Sequence, residues 1–180
     1  MKNVIIFHGT GGTPNSFWHP YLKKELEKRG YDVWVPALPD TDTPDLANWI
    51  PEALKGTFST ETILVGHSAG CPLILSILER IHIKISKAIL VSGYARNLWE
   101  KADIKILQQS YDWEKIKSHV ENIFFINSDN DPWGCTDVEG RYMFDHLGGT
   151  LIIKHGEGHM GSDFYKQPYR EFPLLVKLIE

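Results

Sequence analysis

Cysteine is scarce in this chain: Cys71 and Cys135 are the only two in 180 residues. Two isolated cysteines form neither a disulfide framework nor a zinc-ligand spacing, so a reducing compartment, the cytoplasm, is expected. Long apolar runs are missing too. No stretch approaches the ~18 apolar residues of a membrane span, and Asn3-Val4-Ile5-Ile6-Phe7 is too short for a signal peptide's hydrophobic region. The chain has no dense Lys/Arg cluster and carries a net charge of −4, which argues against nucleic acid or an anionic membrane as partner. A small molecule is expected instead. There is no internal repeat, no Gly-Lys-Ser/Thr phosphate loop and no His-Glu-x-x-His pattern. Gly9-x-Gly11 lacks the third glycine of a dinucleotide fingerprint, with Pro14 in its place. The acidic stretch from Asp40 to Asp45 lacks the glycine and the glutamate of a calcium loop. No metal or organic cofactor is implied.

What is present fits one globular domain over residues 1–180, with 42% hydrophobic residues to build its core. Continuous apolar runs predict buried strands at 4–7, 32–35, 62–65, 87–92, 122–127 and 150–154. Helical spacing predicts helices over 17–28, from Leu46 to about Leu54, from the turn at Ser68 to about Ile81, over 137–147 and near 169–179. Residues 94–113 lack a clean period. They fit either a crossover over the mouth of a site or a plain surface connection. Strands alternating with helices predict a doubly wound α/β fold, with about six mostly parallel strands, helices on both faces and no separate cap domain.

In such a sheet, ligands bind outside the carboxyl ends of the strands, and the chemistry-bearing residues follow strands. The stretch Gly66-His67-Ser68-Ala69-Gly70 fits G-x-S-x-G between an apolar run and a helical pattern. It reads as a nucleophile elbow, a turn so tight that side chains at 66 and 70 would collide. Ser68 as a mere helix cap is the plain alternative. A serine nucleophile needs a base, and the base needs an orienting group. His159 follows the last strand and is the candidate base, with His155 its nearest competitor. Asp131 follows the fifth strand and is the candidate orienter, although an Asx-turn role before Pro132, or replacement by Asp129 or Asp137, stays open. The order Ser68, Asp131, His159 is that of the α/β-hydrolases. Oxyanion donors are expected from the backbone N–H of Ala69 and from Thr10 or Gly11. His8 and His67 are expected to serve packing and backbone hydrogen bonding, and Cys71 to act as a small buried hydrophobe. Trp18, Trp34 and Trp133 are candidates for pocket wall or for plain core.

With these residues in place, the chain resembles the small serine hydrolase family of retinoblastoma-binding protein 9 and YdeN. The resemblance spans nearly the whole sequence. Beyond the elbow it rests on Lys23-Lys24-Glu25-Leu26-Glu27-Lys28, Leu38-Pro39-Asp40, Leu90-Val91-Ser92-Gly93-Tyr94 and Trp113-Glu114-Lys115-Ile116-Lys117. Ser128, Asp131-Pro132 and Gly158-His159 complete it. The resemblance implies a minimal α/β-hydrolase fold without a cap, serine esterase activity, and Asp131 rather than Asp129 as the triad acid. His8 and Met160 depart from some members, at positions that bear on pocket shape. The expected function is hydrolysis of small acyl esters through an acyl-enzyme. A binding module that keeps the hydrolase fold without catalysis is the rival.

Overall fold

The computed structural model describes residues 2–99 and 104–180. The chain runs β1 (Asn3–Phe7), α1 (His19–Glu27), β2 (Asp32–Trp34), α2 (Leu46–Ala53), β3 (Ile63–His67), α3 (Gly70–Leu78) and β4 (Ile85–Val91). It continues through α4 (Trp113–Ser118), β5 (Val120–Ser128), α5 (Asp137–Leu147), β6 (Thr150–Lys154) and α6 (Pro173–Ile179). All six strands pair in parallel in the order β2-β1-β3-β4-β5-β6.

Side chains alternate across a strand, so one sheet feeds two cores. Val4 and Ile6 of β1 and Ile63 and Val65 of β3 face α1 and α6, where they meet Trp18, Leu22, Leu26, Leu175 and Val176. Ile5, Phe7 and Leu64 face the other way, toward a larger core that includes Trp49 of α2, all but three residues of α3, and Met143 and Leu147 of α5. α3 is buried along its whole length. That suits a helix with almost no polar face, packed centrally against the sheet.

Both ends of the predicted helical segments shift for backbone reasons. The first helix begins at His19 rather than 17, because Phe17 sits at φ 51°, outside the helical region. The last begins at Pro173 rather than 169, because Tyr169 has φ 35° and Pro173 takes the first helical turn. α4, six residues with Ile116 its one buried side chain, was not among the expected helices. Among the described residues no helix is long and apolar enough to cross a membrane.

From β1 the chain steps to β2 on one side, then crosses back to β3 on the other. The crevice between the carboxyl ends of β1 and β3 is therefore the switch point, where a sheet of this kind holds its ligand. Into it open the loop from Gly9 and the turn at Ser68.

Candidate active site

The turn between β3 and α3 is as tight as its glycines require. A Cβ on Gly70 would stand 2.5 Å from the Phe7 carbonyl oxygen, and one on Gly66 would stand 2.7 Å from the Gly70 carbonyl oxygen. Ser68 lies between them at φ 53°, a left-handed conformation that a non-glycine residue rarely adopts. Its N–H donates to the Val91 carbonyl at 2.9 Å, which ties the turn to the neighbouring strand. Ala69 is the N-cap of α3, and no side chain caps that helix. The Ser68 hydroxyl makes no hydrogen bond to a described residue, so the capping alternative has no support in the geometry.

The loop after β1 closes on the same point. A Cβ on Gly9 would lie 2.8 Å from the Cβ of Ser68. Of the two proposed donors in this loop, Gly11 is already engaged, since its N–H donates to the Thr41 carbonyl at 2.7 Å. The N–H groups of Thr10 and Ala69 have no acceptor among the described residues.

On the far side, the loops after β5 and β6 bring an aspartate to a histidine. Asp131 Oδ2 lies 2.7 Å from His159 Nδ1, with the Asp131 side chain wholly buried and that of His159 nearly so. The other carboxylate oxygen, Oδ1, accepts the Trp133 N–H at 2.9 Å. The Asx-turn reading and the orienting geometry therefore hold together. Asp129 instead pairs with the exposed His155 and accepts the Gly156 N–H. That pairing draws the Asp129 carboxyl below its ordinary range, first through the Gly156 N–H, and raises His155. Asp137 begins α5. Neither rival acid pairs with His159.

A buried histidine, His67, supports the His159 loop from below. His67 donates through Nε2 to the His159 carbonyl at 2.9 Å, and the Ser92 hydroxyl donates to the same oxygen at 2.9 Å. Burial, with His159 close by, holds the His67 imidazole well below the usual histidine range, so it stays neutral. His8 accepts the Leu38 N–H and packs on Trp49. Cys71 is buried and unpaired, its thiol pushed up by desolvation.

A cavity of about 490 Å³ joins these pieces. Ser68, His159, Thr10 and Gly9 line it together with Phe17, Tyr94, Leu98, Trp99, Trp133 and Phe164, while Asp42 and Asp163 add acidic groups. Trp133 is thus pocket wall, whereas Trp18 is fully buried core and Trp34 packs against the larger core. Neither His8 nor Met160 lines the cavity. Tyr94, Leu98, Trp99 and Ile104 bring the irregular stretch after β4 into its wall. Residues 100–103 of that stretch lie outside the described residues. The walls at Leu98, Trp99 and Phe164 carried no sequence signal, because they come from loops without a period. Asp131, Cys135 and His159 place donor atoms within 4.8 Å of one another. A cation there would have to break the 2.7 Å pairing of Asp131 with His159, so these donors serve each other first.

A parallel sheet with a tight serine turn after β3 and with aspartate and histidine loops after β5 and β6 defines the α/β-hydrolase fold. Within that class, the chain belongs to the serine hydrolase family, whose model matches residues 4–178. It is 33% identical to YdeN of Bacillus subtilis (strain 168) over 136 residues, 72% of this chain and 71% of that protein. It is 28% identical to serine hydrolase RBBP9 of Rattus norvegicus over 184 residues, 99% of this chain and 94% of that one. The crystal structure of the ydeN gene product from B. subtilis superposes with a TM-score of 0.90 at 26% identity, covering 99% of this chain and 97% of the other.

Proposed function

We propose that this serine hydrolase cleaves carboxylic esters of small acyl groups through an acyl-enzyme. The observation that carries the reading is the buried 2.7 Å pairing of Asp131 with His159, the histidine that lines one cavity with Ser68. Asp131 accepts from Nδ1–H of His159 and so fixes the tautomer that leaves Nε2 free to take a proton. His159 removes the Ser68 hydroxyl proton as the oxygen attacks the ester carbonyl. The tetrahedral oxyanion receives the N–H groups of Ala69 and Thr10, neither of which has another acceptor among the described residues. His159 then gives its proton to the departing alcohol, and water repeats the sequence on the acyl-Ser68 ester.

Preference for small acyl groups is supported by a cavity in the lower half of the ~300–1,000 Å³ range of small-molecule sites. A cytoplasmic setting is supported by two buried, unpaired cysteines. The test is labelling by a fluorophosphonate, which reacts only with an activated serine, with the labelled peptide mapped by mass spectrometry. Labelling at Ser68 in the wild type, absent in Ser68→Ala and His159→Ala, is expected. A folded wild type that does not label would overturn the reading.

A further inference from the structure

Immediately beyond His159 the chain folds back on itself. The N–H of Ser162 donates to the Gln167 carbonyl at 2.9 Å, and the N–H of Gln167 donates to the Ser162 carbonyl at 2.7 Å, which closes a narrow hairpin. This hairpin reaches the acid and the base separately. Toward the acid loop, the Ser162 hydroxyl accepts Nε1–H of Trp133 at 3.2 Å, and the Trp133 backbone N–H in turn holds Asp131. Toward the base, the side-chain Oε1 of Gln167 accepts the His159 backbone N–H at 2.9 Å.

Gly158 gives an independent reason to regard this contact as built in. It sits at φ 58°, and a Cβ added there would overlap the Gln167 amide. The residue before His159 is thus a glycine where a longer side chain would expel Gln167. With the His159 carbonyl held by His67 and Ser92, and its ring by Asp131, Gln167 supplies the remaining polar anchor of this residue.

We infer that Gln167 is a positioning residue for His159: its side-chain oxygen fixes the His159 backbone, and through it the ring, at the angle that Ser68 deprotonation needs. The inference rests on the assignment of His159 as base. Gln167 touches no reacting atom, so its loss acts on turnover and not on substrate affinity. A misplacement of about 1 Å at a reacting group can cost on the order of 10²-fold in rate.

Two near-isosteric variants separate positioning from simple packing. Gln167→Met fills the space over Gly158 without an acceptor, whereas Gln167→Glu retains an oxygen for the His159 N–H. Rates of fluorophosphonate labelling at Ser68, and kcat and KM for p-nitrophenyl acetate, are measured at pH 8 and normalised to the folded fraction from circular dichroism. The expected result is a loss of ~10-fold or more in kcat and labelling rate for Gln167→Met, with KM within about twofold and Gln167→Glu within about threefold of the wild type. Equal rates in the wild type and Gln167→Met, or an equal loss in both variants, would overturn the inference while leaving the labelled Ser68 intact. A wild type that does not label overturns the hydrolase reading and this inference with it.

Discussion

Asp129 and Asp131 stand two residues apart and send their carboxylates to different histidines, Asp129 to exposed His155 and Asp131 to buried His159. The pairings differ in consequence because, of the two histidines, only His159 lines the cavity with Ser68. Replacing Asp131 with Asn is expected to lower kcat by ~10⁴-fold, since the amide favours the wrong tautomer of the base. Asp129→Asn removes an exposed pair and should leave turnover within about threefold of the wild type. Steady-state kinetics of the two variants, side by side, checks this. Comparable losses would mean that the acid is misassigned.

The elbow permits no added atom. Gly70→Ala would set a methyl 2.5 Å from the Phe7 carbonyl oxygen, where backbone and not a mobile side chain must give way. Overpacking of this kind costs about 1–3 kcal/mol. At about 2–4 °C per kcal/mol, the melting temperature should fall by roughly 2–12 °C. Because α3 and the Gly9 loop would be pushed apart, labelling of Ser68 should slow even in the folded fraction. An alanine variant with unchanged melting and labelling would contradict the packing seen here.

Acid should destabilise the fold through its buried histidines. Burial brings His19 down to about 4 and also lowers His8 and His67. An unfolded histidine titrates near 6.5, so between about pH 6.5 and 4 the unfolded chain binds a proton that folded His19 refuses. The stabilisation is complete above about pH 6.5 and is lost as pH falls through that window. For His19 alone it amounts to about 3 kcal/mol. Thermal melts from pH 4 to 7 should show rising stability, with a shallower slope in His19→Leu. A flat wild-type profile would be inconsistent with neutral buried imidazoles.

The acyl preference can be read from a chain-length series. With acetyl, butyryl and palmitoyl p-nitrophenyl esters, kcat/KM should be higher for the two short chains. The cavity, walled from Phe17 to Phe164, has a volume of about 490 Å³, toward the small end of small-molecule sites. Preference for palmitoyl would refute the small-acyl assignment.

Much of this architecture was legible because parallel strands buried on both faces appear as unbroken apolar runs, as at 62–65 and 122–127, and all six were read. The elbow could be read because its glycines answer to steric demands that no other residue meets. The meeting of Asp131 with His159 was foreseeable because each follows a strand of a sheet whose polarity was already implied. What stayed hidden depends on contacts distant in sequence. α4 is too short to show a period, and Phe17 and Tyr169 turn into left-handed conformations that apolar patterning does not report. The cavity wall brings Trp99 beside Phe164 through loops alone. Gln167 gave no sign in the sequence, because its role depends on a hairpin that returns it to the backbone of His159.

The common direction of all six strands also divides the molecule into a working end and a handling end. Every turn that leads from a helix into a strand lies away from the cavity, and two of these, around Thr60-Glu61 and His82, are exposed. An affinity tag, a fluorophore or a tether to a solid support placed there would leave the mouth near Trp99 and Phe164 open, which makes these turns the natural points of attachment for an immobilised form of the protein.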